Sequence, residues 1–510
     1  MSLAHLLISA ARSFHHRPAL SIGDKTLFDY CTLGRRAAGL AASLKDRLAL
    51  GSGDRVALAM SNCPEYLEIL FACWHAGLAV VPMNARLHAG ELGFMVEDSD
   101  ASVVFATEAL AHPIVGACPG KRVIVAGSQE YAKLVAADGI AAQSVGRDDL
   151  AWIFYTSGTT GKPKGAMLSH GNLMAMAIRY LADVDMLSEE DALLHLAATS
   201  HASGLFALSH VAKGSNNILP ESGGYDAQEV GKIIAATRNL TFFVPPTLLR
   251  RMTTDADIKG ATLSNIRTIL VGAAPVSAGD LRAGLATFGP KLWNGYGQGE
   301  SPCTITAMSK RMIAAASSGD DERLASVGIE RTGIEVRVAD GDDNPVGFGE
   351  IGEVLVRGET VMSGYWNRPQ DSAETLRGGW LHTGDLARMD RFGYLMLLDR
   401  KKDLIISGGM NIYAREIEDI LLTHPGVAEA AVIGVPDAEW GESVAAILVA
   451  ADGESIDPKS LDRLCLEKIA RYKRPKRYEF VTELPKNAAG KVLKRELRAM
   501  YGASPTAAGG

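Results

Sequence analysis

The stretch Tyr155-Thr156-Ser157-Gly158-Thr159-Thr160-Gly161-Lys162-Pro163-Lys164-Gly165 decides how the rest of the chain is read. Three glycines, four aliphatic hydroxyls and two lysines fall within eleven residues. The apolar run Ala151-Trp152-Ile153-Phe154-Tyr155 reads as a buried strand, so the glycine-rich segment is the loop at its end. Backbone N–H groups and hydroxyls of such a loop can wrap an anion, and lysines neutralise it. It is not a Walker A loop, which places Gly-Lys-Ser/Thr at the start of a helix whose N-terminus faces the phosphates. Here Pro163 follows Lys162 directly and drives it away from helical geometry. A plain solvated turn explains any three or four of these residues, but not the density of anion donors.

Outward from the loop, apolar patterns alternate between helical and strand periods. Before it, residues 33–48, 65–76 and 89–97 read as helices, and 55–60, 78–82, 102–106 and 122–125 as strands. After it, helices are expected at 172–181, 204–213, 226–236, 247–252 and 278–288, with strands at 193–197, 240–244, 267–271 and 291–294. This βαβ rhythm predicts an α/β fold of parallel sheets covered by helices on both faces. Beyond about residue 325 the segments Ile334-Glu335-Val336-Arg337-Val338 and Glu353-Val354-Leu355-Val356-Arg357 alternate in period two, which predicts a small β-barrel-like or antiparallel subdomain. A charged knot, Asp399-Arg400-Lys401-Lys402-Asp403, precedes a small α+β region. The expected division is an N-terminal domain over 1–399, a connection at 400–403, a C-terminal domain over 404–500 and a small, polar, disordered tail over 501–510.

At 510 residues the chain exceeds one ordinary domain. Its net charge of −7 argues against nucleic acid as a partner, because affinity for a phosphate backbone comes from basic surface. Six isolated cysteines, with no Cys-x-x-Cys pair, suggest neither a zinc site nor a disulfide framework and fit a cytoplasmic protein. No signal peptide or membrane span is evident. A second copy of the chain, forming a homodimer, is left open.

Taken together, the loop, the alternation and the small terminal region resemble the adenylate-forming superfamily of acyl-CoA synthetases, firefly-type luciferases and peptide-synthetase adenylation domains. The chain is most similar to a stand-alone acyl-CoA synthetase. The resemblance implies an enzyme that uses ATP and Mg2+ to join a carboxylic acid to AMP, releases pyrophosphate, and passes the acyl group to CoA. It implies that Thr156, Ser157, Gly158, Thr159, Thr160, Gly161 and Lys164 hold the β- and γ-phosphates. Gly272-Ala273-Ala274-Pro275 is similar to the family's adenine-edge segment, although a tight β–α turn accounts for it equally well in isolation. Asn294-Gly295-Tyr296-Gly297-Gln298-Gly299-Glu300 resembles Tyr-Gly-x-Thr-Glu, whose tyrosine stacks on adenine and whose glutamate ligates magnesium, with Thr156 as the second metal residue. Gly299 stands where the family has threonine, leaving Ser301 or the loop to supply a hydroxyl near the α-phosphate.

Trp380-Leu381-His382-Thr383-Gly384-Asp385 resembles Trp-x-x-Thr-Gly-Asp, which makes Asp385 the ribose acceptor and Arg400 a second ribose contact. Lys402 falls at the family's hinge, about which the C-terminal lid swings. Ser407-Gly408-Gly409 resembles the segment lining the pantetheine tunnel, and Trp440, Lys473 and Arg474 are the candidates for the nucleotide end of CoA. A solvated face explains that basic cluster, and the later one at Lys491, Lys494, Arg495 and Arg498, equally well. Pro485-Lys486-Asn487-Ala488-Ala489-Gly490-Lys491 matches Pro-Lys-x-x-x-Gly-Lys, so Lys491 is the expected adenylation lysine, catalytic with His201 and Glu300. His201 and Gly204 survive from the family's Pro-Leu-Phe-His-x-x-Gly; His201 is a gate to the acyl pocket or a packing histidine. With Leu205, Phe243 and Ala273, they suggest an apolar monocarboxylic acid, aromatic or medium- to long-chain aliphatic. The rival readings are a ligase that loads a carrier protein and a non-catalytic ATP or acyl-AMP binding module.

Overall fold

The computed structural model describes residues 2–156, 163–451, 456–487 and 491–502. The chain divides into two compact units, one built from 1–336 and 356–382, the other from 337–355 and 383–510.

The first unit contains two large sheets. One has six strands in the order Arg122–Val125, Ala101–Ala106, Arg55–Met60, Ala79–Asn84, Leu150–Thr156 and Lys164–Ser169. Its first five strands pair in parallel and carry Val, Ala and Leu on both faces, as expected of strands covered on both sides. The other sheet has nine strands, with Leu240–Val244, Ile266–Val271 and Leu292–Gln298 parallel and adjacent. The expected parallel architecture is therefore present, but its margins are antiparallel. Lys164–Ser169 returns along Leu150–Thr156, and Ser301–Met308 returns along Leu292–Gln298. Both returning strands lie within or directly after motif segments whose glycines and hydroxyls hide the strand pattern.

Most helices begin at caps visible in the sequence. Asp29, Ser128, Ser169, Asp226 and Ser277 each accept a backbone N–H of the first turn. Among the described residues no helix is long and apolar enough to cross a membrane. All six cysteines are free thiols.

The second unit contains the antiparallel pairing of Asp385–Met389 with Leu395–Arg400, part of a four-stranded sheet of sequential strands where a barrel-like subdomain is expected. It also holds a five-stranded sheet centred on Gly441–Ala450 and Val427–Asp437. One face of the latter packs against Ala414–Leu421 and Pro458–Lys468 through Ile417, Leu421, Leu461 and Cys465. The opposite face packs against Leu484 and Leu497.

Candidate active site

Candidate residues of the first unit gather at the C-terminal ends of parallel strands, where open α/β sheets bind ligands. Thr156 ends Leu150–Thr156 and pairs across the hairpin with Lys164. Ser157, Gly158, Thr159, Thr160 and Gly161 lie outside the described residues. The Thr156 hydroxyl donates to Glu300 Oε1 at 2.9 Å, and the Tyr365 hydroxyl donates to the same oxygen at 2.8 Å. Glu300 is buried, and its carbonyl accepts the N–H of Met362. Burial, then the neighbouring Glu300, pushes the Tyr365 phenol up, so it remains a donor. Lys164 Nζ lies 2.7 Å from Asp371 Oδ1 and 5.4 Å from the Tyr365 ring centre. Segment 363–367 is fixed against the hairpin by Met167 N–H to Gly364 O and Trp366 N–H to Gly165 O. Sequence reasoning misses Tyr365, because no local pattern signals a partner 65 residues away.

Gly299 has a steric explanation. A Cβ there would fall 2.3 Å from Thr156 Cγ2 and 2.7 Å from Phe154 Cδ1. The room that a threonine would need is filled by the residues that start the loop. Ser301 does not supply the missing hydroxyl, since it is buried and bonded to Thr304 and Thr360.

Phe154 continues toward the candidate acyl pocket and meets the His201 ring edge-on, with centroids 5.3 Å apart. Burial pushes the His201 imidazole down to about 4, which keeps it neutral near pH 7, and its Nδ1 shares a 2.9 Å bond with Ser200 Oγ. Gly204 is required by packing, because a Cβ would fall 1.9 Å from Thr199 O. Asn62 ties down this turn by donating to His195 O and Ala197 O and accepting from Thr199 N. Leu205 is buried in the helix Ala202–Ala212. Its neighbour Phe206 packs on Phe243, 5.8 Å between centroids. Gly272 sits between Phe243 and the backbone of Gly295, 2.9 Å from Gly295 O by its would-be Cβ. Ala273 has φ +68°, left-handed backbone that costs an alanine about 1–2 kcal/mol. Ala274 and Pro275 follow it on the surface side, while Asn294 and Tyr296 are buried at the end of the next strand, with Gly297 and Gln298 leading into Gly299. Gly297 admits no side chain either, since its Cβ would meet Cys303 N at 2.5 Å.

In the second unit Asp385 and Arg400 are register partners, and Arg400 Nε lies 2.9 Å from Asp385 Oδ1. Lys491 sits on a short hairpin. Its N–H donates to Asn487 Oδ1, its carbonyl accepts from Asn487 N, and Leu493 N–H donates to Pro485 O. Desolvation, then Arg400, push the Lys491 ammonium down to about 8; Lys402 adds to this and Asp385 opposes it. Lys491 is exposed by area, yet two neighbouring cations lower its affinity for a proton whatever its burial. Desolvation likewise holds Lys402 below the usual lysine range.

The CoA candidates are arranged less openly than the sequence suggests. Ser407, Gly408 and Gly409 form a hairpin turn, with φ +56° and +78° at the two glycines. Trp440 covers Gly408, whose Cβ would meet the indole at 2.5 Å, and the Gly408 N–H donates to Trp440 O. Lys473 pairs with Glu416 and Arg474 with Asp462, each at 2.7 Å, so neither is a bare charge.

Residues 7–366 match the AMP-binding enzyme model, and 416–491 match the AMP-binding enzyme C-terminal domain. The chain belongs to the AMP-binding enzyme family. A feruloyl-CoA synthase of an Amycolatopsis species is 39% identical, over 97% of this chain and 98% of that protein. The fatty acid–[acyl-carrier-protein] ligase ScoC of Streptomyces coeruleorubidus is 33% identical, over 95% of each. Among solved structures, ATP-bound MatB from Rhodopseudomonas palustris superposes with a TM-score of 0.88 at 30% identity, covering 98% of this chain and 99% of that one. The AMP-binding enzyme match spans every candidate in the first unit, and the C-terminal match ends on Lys491.

Proposed function

We propose that the protein converts an apolar monocarboxylic acid, aromatic or medium- to long-chain aliphatic, to its acyl-adenylate and then to its CoA thioester. It is an ATP-dependent, AMP-forming acid–thiol ligase. The mixed anhydride with AMP carries a good leaving group, which a free carboxylate lacks.

The observation that carries the mechanistic reading is the Asp385–Arg400 pair, together with a Lys491 ammonium whose protonation both of them influence. In this reading Asp385 and Arg400 take the ribose. The Lys491 ammonium guides the attacking carboxylate and stabilises charge on the α-phosphoryl oxygens. The loop from Thr156 to Lys164 grips the departing pyrophosphate, while neutral His201 stands at the pocket mouth without repelling or trapping the acid. Lys402 acts as the hinge of 400–403, and Ser407, Gly408, Gly409 and Trp440 receive the thiol arm.

Glu300 and Thr156 offer only oxygen donors, which suits Mg2+, an ion commonly held by one or two carboxylates and by substrate phosphates. They would hold it, and it would neutralise phosphate charge. Among the described residues no cluster of three or more His, Cys, Asp or Glu could hold a metal. The apolar and aromatic character of Leu205, Phe206 and Phe243, with a feruloyl-CoA synthase at 39% identity, favours the aromatic arm of the substrate range. We place the enzyme in the cytoplasm.

AMP formation with CoA across a panel of benzoates, cinnamates and aliphatic acids tests the reading. The expected result is turnover of at least one apolar acid, and no AMP from any of them would overturn it. The carrier-protein ligase relative supplies a second reading, in which the acceptor thiol is a carrier's phosphopantetheine. Thioester yield with CoA against holo-carrier protein separates the two.

A further inference from the structure

The helix Lys494–Tyr501 carries Lys494 and Arg498 one turn apart, and each is engaged by a carboxylate. Lys494 Nζ lies 2.8 Å from Glu418 Oε1 and 4.0 Å from Asp399 Oδ1. The side chains of Lys494, Glu418 and Asp399 are 16%, 12% and 6% exposed. Arg498 Nη1 bonds Asp403 Oδ1 at 2.8 Å. Asp399 immediately precedes the segment 400–403 and Asp403 closes it, so the helix fastens both ends of it. The carboxylates are themselves fixed. Asp399 accepts the N–H groups of Arg400 and Ala414, and Glu418 accepts that of Val432. Lys494 is the cation between two buried carboxylates, and its loss would leave buried charge uncompensated. Its ammonium is held above the usual lysine range by Glu418 and Asp399 against the cost of desolvation. Three residues earlier in the chain stands Lys491, on the short arm paired with 485–487.

We propose that Lys494 and Arg498 are positioning residues for Lys491: they clamp the arm that carries it to both ends of the 400–403 segment and so fix where its ammonium is presented. The proposal rests on the ligase reading above, in which Lys491 serves adenylation and not thioester formation. It follows that the clamp governs one half-reaction and leaves the other alone.

The test uses the full-length protein with Lys494→Met, Lys494→Arg and Arg498→Met. Adenylation is followed by pyrophosphate–ATP exchange, and thioester formation by adding CoA to supplied acyl-AMP. Lys494→Met is expected to slow exchange about tenfold or more while thioester formation stays within about twofold of the parent, and Lys494→Arg recovers much of the exchange. Arg498→Met gives the same split to a smaller extent, and carries the test alone should Lys494→Met not fold. Equal losses in both half-reactions, or no loss in either, overturn the clamp while leaving the ligase reading intact. A parent protein that forms no AMP with any acid removes both.

Discussion

The two units assemble their candidate residues by different physical means. In the first, a buried carboxylate is satisfied by neutral hydroxyls, Thr156 and Tyr365 on Glu300, and the surrounding contacts are fixed by glycines that admit no side chain. In the second, most candidates are charged: Asp385 pairs with Arg400, and Arg400 and Lys402 both press on the protonation of Lys491. Steric fit holds the first site in one geometry. Charge makes the second responsive to pH and to the loss of a single cation.

The largest effect should come from the charged side. Lys491→Ala is expected to slow pyrophosphate–ATP exchange by about two to three powers of ten, while supplied acyl-AMP still reacts with CoA. Equal loss of both steps would remove the distinction between the units, because Lys491 would then be structural. Next comes the steric side. Gly299→Ala should displace the Thr156 methyl and with it the hydroxyl on Glu300, cutting exchange about tenfold. Thr156→Ser deletes the clashing methyl but keeps the hydroxyl, so the double variant should recover much of the loss. If the double variant is no better than Gly299→Ala, the contact with Phe154 dominates instead.

Comparable in size, but read in KM, is Tyr365→Phe. Removing one of two donors to a buried carboxylate costs about 1.5–3 kcal/mol, read as a rise in the KM for MgATP of about tenfold or more with a milder change in kcat. An unchanged KM would show that Thr156 alone orients Glu300. The mildest is a pH effect confined to the second unit. A lysine with a depressed pKa loses its proton early as pH rises, so exchange should decline through a midpoint of about 8. Lys491→Arg, always charged, should abolish that limb at a reduced rate. A flat profile up to pH 9.5, beyond about one unit above that midpoint, would mean that the ammonium is not the required form.

Much of the fold is legible in the sequence where burial sets the periodicity. The strand Leu240–Val244 and the helix Ala278–Phe288 have the bounds expected from their apolar spacing. Lys164–Ser169 and Ser301–Met308 escape notice for a physical reason: among their buried positions are Gly165, Ser169, Ser301, Thr304 and Thr306, polar or small residues that break the apolar period, with Ser301 and Thr304 bonding each other and Thr306 bonding Val327 O. At the site, residues carried by a compact motif can be singled out from the sequence as candidates, Glu300 and Lys491 among them. Long-range contacts cannot, because Tyr365 meets Glu300, Asn62 meets the turn at 195–199 and Lys494 meets Glu418 and Asp399 across long sequence separations. Lys494 also corrects the picture of a solvated basic end, since two buried carboxylates claim it.

The cores of the C-terminal region draw only on residues from 405 onward, Ile405 to Cys465 on one face of the sheet and Ala431 to Leu497 on the other. The carboxylate that caps Ala414, however, belongs to Asp399. A fragment cut at 404 would therefore keep its apolar interior but lose the bond that starts its first helix. Moving the cut upstream of Asp399 should yield the better-behaved autonomous domain.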